Sequence, residues 1–187
     1  SGIKGPFIFF AAHRIMATKG AHHLLEALSK ANYQGNIVIA GDTEQLPQYT
    51  RHLLELARGL NVHFQGIKEK KEVLMALIKR SSLYVFPSET EGMSIMLLEV
   101  ASMEVPIIAS DIPENTAIFQ DEDLLLFRNK DTHDLAEKFQ WALRNPHAMH
   151  AKATQAHHRV STEYNSQRIA EQYAGLYRAS LGIKLSD

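Results

Sequence analysis

The chain has 187 residues, 45% hydrophobic and 22% charged, a globular composition that excludes collagen-like repeats, low complexity and disorder. With 20 Lys and Arg against 21 Asp and Glu the formal charge is -1, so no global positive field points to nucleic acid or an anionic membrane, and a bound anion must be held locally. The absence of cysteine excludes disulfide scaffolds, thiolate zinc sites and thiol nucleophiles, and suits a reducing, cytoplasmic setting.

No apolar run reaches the roughly 18 residues a membrane helix needs, so membrane contact is not indicated. Ser1 and Gly2 stand where a Met is usual and read as an appended remnant or the edge of an excised segment; the expected domain is 3–187.

In chain order, short β-prone apolar runs fall at Phe7–Ala12, Ile37–Ala40, Val62–Phe64, Leu83–Phe86, Pro106–Ala109 and Leu124–Phe127. Between them lie segments with helical spacing: Ala21–Ala31, the set Leu53, Leu56, Ala57 and Leu60, and the set Val73, Leu74, Leu77 and Ile78. Strands with little polar alternation, each followed by a helix, imply a parallel sheet covered on both faces. The expectation is an α/β, doubly wound, Rossmann-like sheet of about six parallel strands. After Phe127 the strand signal stops, and helices over Asp134–Arg144, His147–Glu163 and Gln167–Leu181 form a C-terminal helical tail, with Tyr173 and Tyr177 on a packed face.

Ligands of open α/β sheets bind beyond the carboxyl ends of the strands. The fourth strand runs into Pro87-Ser88-Glu89-Thr90-Glu91-Gly92 and then a helix, Met93–Met103, whose apolar residues point in nearly every direction and predict burial on most sides. Glu99 within it needs a hydrogen-bonded partner or a ligand, an internal ion pair or a solvated edge being the structural alternatives. Glu91 and Glu99 are eight positions apart, roughly 12 Å along a helix axis. That gap exceeds the spacing of a glycosidase acid pair and suits an elongated ligand gripped at both ends. Between them the backbone N–H groups of Gly92, Met93, Ser94 and Ile95 stand at a helix start, ready for a phosphate or diphosphate. The loop after the first strand adds two cations, Arg14 and Lys19, placed to fork onto and neutralise phosphate oxygens.

These residues resemble the C-terminal, donor-binding domain of family 4 retaining glycosyltransferases of the GT-B fold. The match lies in Pro87, Ser88, Glu91, Gly92, Leu98 and Glu99, in the Arg14, Lys19, Gly20 loop, and in Pro106-Ile107-Ile108-Ala109-Ser110-Asp111, and it extends from Phe7 to Tyr177. The resemblance implies a chain that moves a sugar from a nucleoside-diphosphate sugar to an acceptor hydroxyl. Glu99 would hold the ribose hydroxyls, Glu91 the transferred sugar, and the Gly92–Ile95 amides the sugar and diphosphate. Arg14 and Lys19 would neutralise the leaving diphosphate, with Glu91 completing the catalytic set. The base would lie near Gly41 and the Gln65-Gly66-Ile67 loop, so Gly66 and Ile67 join the donor-binding set. No metal or other cofactor is required. The N-terminal acceptor domain is absent from this chain, so the fragment should bind donor and transfer little or nothing.

Departures from the family pattern fall at His13, where Gly is usual; at Ser94, whose hydroxyl would reach a phosphate; at Glu104, where a left-handed C-cap would cost a non-Gly residue roughly 1 kcal/mol; and at Ile112-Pro113-Glu114, which replaces paired glycines. Alternatives of other kinds are a sugar-nucleotide epimerase half-domain and a non-catalytic nucleotide-binding or interaction module. Asp121-Glu122-Asp123 is read as a solvated acidic turn, and His147, His150, His157 and His158 as an exposed helix face rather than a metal site. Of His22 and His23 at most one should face the anion loop, since neighbours diverge by about 100° around a helix. No Gly-x-Gly-x-x-Gly, P-loop or Gly-x-Ser-x-Gly element is present, which removes support for dehydrogenase, NTPase and serine-hydrolase readings.

Overall fold

The structure, a computed structural model, describes residues 3–68 and 70–164; the helix expected over Gln167–Leu181, with Tyr173 and Tyr177, lies outside them. The elements are β1 (Phe7–Arg14), α1 (Ala21–Lys30), β2 (Asn36–Asp42), α2 (Pro47–Leu56), β3 (Asn61–Phe64), α3 (Lys71–Arg80), β4 (Leu83–Phe86), α4 (Ile95–Ala101), β5 (Ile107–Ser110), α5 (Pro113–Thr116), β6 (Leu125–Phe127), α6 (Thr132–Arg144) and α7 (Pro146–Glu163).

All six strands pair in parallel in the order β3-β2-β1-β4-β5-β6, the doubly wound Rossmann-like arrangement expected from the βα rhythm, and α6 and α7 supply the helical tail. Alternate residues of each strand feed opposite faces. Phe7, Phe9, Val38, Tyr84 and Ile107 join Leu77, Leu97, Val100, Ala156 and Val160 in one core. Ile8, Phe10, Ile37, Val85 and Ile108 join Leu24, Leu28, Leu53, Leu135 and Phe139 in the other. Central strands buried on both faces explain why they carry continuous apolar runs.

Near its carboxyl end β1 departs from regular pairing. Ala11 is opposite Ala40 and Arg14 opposite Asp42, so β1 holds one residue more than β2 over this stretch, a bulge that re-aims the strand tip. The Ala12 carbonyl leans over Gly41, where a Cβ would lie only 2.0 Å from that oxygen. Gly41 is therefore what lets the bulge close against β2.

Beyond α4 the chain turns through Glu104, an exposed residue at φ 54, confirming the left-handed position expected there. Glu104→Gly should therefore stabilise the fold by about 1 kcal/mol, because only glycine takes this conformation without Cβ strain. Thermal melts should show the rise for glycine and none for Glu104→Ala, which keeps the strain.

Candidate functional site

The strand order reverses direction between β1 and β4, and the helices that follow them, α1 and α4, pack on opposite faces of the sheet, opening a crevice beyond the strand ends. A cavity of about 320 Å³ lies there, lined among others by His13, Arg14, Lys19, Ser88, Glu91 and Ser94. Inside it the Lys19 ammonium donates to both carboxylate oxygens of Glu91, each at 2.8 Å. The Glu91 side chain is only 11% exposed, so the bond is shielded from bulk water. Arg14 is exposed at the tip of β1 and has no ion-pair partner among the described residues.

Backbone contact holds this pair in place. A single 3₁₀ turn, Ala17–Lys19, ends at Gly20 with φ 73. A Cβ on Gly20 would lie 1.9 Å from the Pro87 carbonyl oxygen, so the two loops touch main chain to main chain. Just beyond, the Glu89 N–H donates to the Thr18 carbonyl at 2.8 Å.

The helix carrying Glu99 begins at Ile95, not Met93. The Ile95 N–H already donates to the Met93 carbonyl at 2.9 Å, and the buried Ser94 hydroxyl donates to Asn115 Oδ1 at 2.6 Å instead of facing open space. The amides of Gly92, Met93 and Ser94 have no hydrogen-bond partner among the described residues. Burial on most sides, expected from the apolar pattern, is found: Leu97, Val100 and Ala101 are buried and Met96 and Leu98 pack against the core, whereas Ile95, like Met93 ahead of the helix, is exposed at the cavity rim.

Glu99 does not line this cavity. Its carboxylate pairs with the exposed Lys71, the first residue of α3, so Glu99 has an ion-pair partner at a solvated edge rather than in the interior. The phenol of Tyr84 lies beneath the acids and donates to the Ala11 carbonyl at 3.3 Å. Burial raises its pKa first of all, the Ala11 bond lowers it, and Glu91 and Glu99 both raise it further. Both acids thus act electrostatically on one buried group.

A buried polar chain, which the sequence did not reveal, fastens the glutamate loop to the next strand. Ser110 Oγ donates to the Ser88 carbonyl at 2.6 Å, and Asn115 Nδ2 donates to the Ser110 carbonyl at 2.9 Å while Asn115 Oδ1 accepts from Ser94. Asn115 directly follows Ile112-Pro113-Glu114, the segment that stands in place of paired glycines. Asn115→Ala strands a buried hydroxyl and a buried carbonyl, and should cost about 2 kcal/mol in urea denaturation; an unchanged midpoint would show that the chain of bonds carries no stability.

A second cavity of about 200 Å³, sharing Ala11, Ala12, His13 and Met96 with the first, is lined by Gly41, Ile67 and Lys68. Gly66 does not line it; its carbonyl accepts from the Gly41 N–H at 2.9 Å. His13 therefore borders both cavities.

One discarded signal comes out differently in space. In the acidic turn Asp121 and Glu122 are exposed, but Asp123 is 3% exposed, accepting from Arg159 Nε at 2.6 Å and from the Gln120 N–H at 2.8 Å. It is a clasp between that turn and α7 rather than a solvated carboxylate. His22 and His23 have ring centroids 3.9 Å apart and both approach Glu89, and neither lines the crevice cavity, in keeping with the expectation that at most one faces the anion loop. Lys130 also donates to Glu89, at 2.8 Å, and this ammonium is the main reason the Glu89 pKa is lowered. His147 and His150 are exposed and join no metal-type cluster among the described residues, while His157 Nδ1 lies 2.8 Å from the Ser102 carbonyl, docking α7 on the end of α4.

Comparison with known proteins identifies the family. The family model described as glycosyl transferases group 1 matches residues 1–159. Alpha-D-kanosaminyltransferase of Streptomyces kanamyceticus is 28% identical over 182 residues, 92% of this chain and 45% of that protein. Glycosyltransferase 1 domain-containing protein 1 of Xenopus tropicalis is 53% identical over 55 residues, 29% of this chain and 16% of that protein. Among solved structures, a glycosyltransferase from Rickettsia africae ESF-5 superposes with a TM-score of 0.84 at 20% identity, over 98% of this chain and 49% of that one. Anabaena Alr3699/HepE in complex with UDP and glucose superposes with a TM-score of 0.80 at 19% identity, over 91% of this chain and 48% of that one. The chain spans about half the length of relatives that it matches along most of its own length. With the family match covering most of the sequence and the fold shared with GT-B enzymes, this chain belongs to the group 1 glycosyl transferases.

Proposed function

We propose that this chain is the donor-binding, C-terminal half of a cytoplasmic family 4 glycosyltransferase. That enzyme moves a sugar from a nucleoside diphosphate to an acceptor hydroxyl with retention of configuration, without a metal, and an N-terminal acceptor domain completes its active site. The observation that carries this reading is the shielded Lys19–Glu91 pair in the crevice between β1 and β4.

The roles follow from what each group has free. Lys19 carries three N–H donors, so it can hold Glu91 and still reach a phosphate oxygen. Arg14, exposed and without an ion-pair partner among the described residues, forks onto the diphosphate. The amides of Gly92, Met93 and Ser94 add fixed donors; that of Ile95, already engaged, sets their direction. Charge grows on the diphosphate as the sugar departs, so these cations bind the transition state more strongly than the ground state. Glu91 accepts from the sugar hydroxyls. Glu99, with one oxygen on Lys71, offers the other to the ribose diol. The base lies in the cavity lined by Gly41 and Ile67, with Gly66 shaping its wall through the Gly41 bond.

Amide-shift NMR of the chain with uridine, guanosine and adenosine diphosphates and their sugar conjugates tests the reading. One of them should shift Gly92, Met93 and Ser94. Lys19→Met and Glu99→Ala should each weaken that binding about tenfold or more, as expected for loss of a charge-assisted bond, with circular dichroism unchanged. Silence at those amides with all three diphosphates at millimolar concentration would overturn the assignment. Retention is tested on the full-length enzyme by the anomeric configuration of its first product.

A further inference from the structure

We propose that His22, His23 and Glu89 form a zinc site, separate from the donor crevice, that pins the loop carrying Glu91 to the first turn of α1. Three donor atoms of these side chains lie within 4.8 Å of one another. His23 Nε2 is 3.0 Å from Glu89 Oε1, and His22 Nε2 is 3.8 Å from the same oxygen. The second distance is too long for a hydrogen bond, so His22 Nε2 is aimed at the cluster without completing a bond in it. A tetrahedral zinc ion bound at about 2.0 to 2.2 Å to each donor needs the donors about 3.3 Å apart. The two His–Glu89 separations bracket that value, and all three donor atoms lie within 4.8 Å of one another.

The donor set selects the metal. Two imidazoles and one carboxylate suit zinc, whereas magnesium demands oxygen ligands in octahedral array. All three side chains are largely shielded, His23 being buried, and a fourth position is left for water. An outer support is already built: His22 Nδ1 lies 2.8 Å from the Tyr49 hydroxyl, which would accept Nδ1–H and present Nε2 to the ion. On the far oxygen of Glu89 stands Lys130, whose charge opposes a cation and whose backbone at φ 65 is strained. None of the three ligands lines the donor cavity.

The chain is titrated with zinc, and with cobalt as a spectroscopic stand-in. One equivalent should bind, cobalt should show the intense visible absorption of a tetrahedral site, and magnesium should not compete. His23→Ala and Glu89→Gln should abolish stoichiometric binding, and Tyr49→Phe should weaken it about tenfold. Lys130→Gly, by removing the opposing charge, should tighten it, which a purely structural hydrogen-bond cluster would not predict. Zinc should raise the melting temperature of the parent and of the His147→Ala, His150→Ala variant, but not of His23→Ala. Should Glu89→Gln not fold, His22→Ala reads the same loss. Absence of stoichiometric binding, or binding undiminished in His23→Ala and Glu89→Gln or lost with His147 and His150, overturns the site. Diphosphate binding is measured separately, so the two readings fail independently.

Discussion

Gly20→Ala is expected to destabilise the chain by at least about 3 kcal/mol and to erase diphosphate binding. Two costs combine. The φ of 73 places a Cβ in the left-handed region, at about 1 to 2 kcal/mol. The Cβ would also sit 1.9 Å from the Pro87 oxygen, and backbone on both sides cannot yield without separating the loops, a further cost of about 1 to 3 kcal/mol. Separation of the loops pulls Lys19 from Glu91 at the point where the donor is held. Gly59 provides the internal comparison, with φ 80 and nothing within 4 Å of its Cβ position. Gly59→Ala should pay only the conformational part and leave binding untouched. Equal losses in urea denaturation for the two variants would show that the Pro87 contact is not what makes Gly20 necessary.

Asp123→Asn should cost about 3 kcal/mol, the low end of breaking a buried pair, because Arg159 retains 28% exposure while Asp123 retains 3%. The amide keeps the shape and can still accept from the Gln120 N–H, so the loss isolates the charge. Arg159→Met leaves Asp123 buried without its cation and should be at least as damaging. The double variant should recover part of the loss, and the coupling in a double-mutant cycle measures the clasp itself. Additive losses would mean that Asp123 and Arg159 do not couple and that the acidic turn and α7 are held by other contacts, among them Lys152 on the Asp121 carbonyl.

The sheet was legible because its signal is local. Leu83–Phe86 is recovered with the same bounds, and the other strands differ by a few residues at their ends. Helix starts were less so. The spacing of Leu53 to Leu60 marks the apolar side of α2, but the helix begins at Pro47, whose fixed φ and missing N–H suit a first turn. In α6 Asp131 accepts from the His133 and Asp134 N–H groups, which moves the start ahead of Asp134.

The acid loop could be read because its residues are contiguous and sit after a strand. Lys71 on Glu99, Asn115 between Ser94 and Ser110, and Arg159 on Asp123 could not, since these partners are 28, 21, 5 and 36 positions apart and no periodicity encodes them. The apolar pattern of α4 was legible for most of its circumference. It departs only at the lip of the cleft, where Ile95 on the helix and Met93 ahead of it face the opening.

The extra residue in β1 opposite Ala40 and Asp42 sets a length rule for protein engineering. Side chains alternate sides with each step along a strand, so deleting one residue between Ala11 and Arg14 would restore ladder regularity and turn the arginine away from the crevice. The same deletion would withdraw the carbonyl that overlies Gly41, while Ile15 Cγ1, 2.8 Å from the Cβ position, and a φ of 151 would still favour glycine there. Shortened variants should thus lose anion capture and still require glycine at position 41.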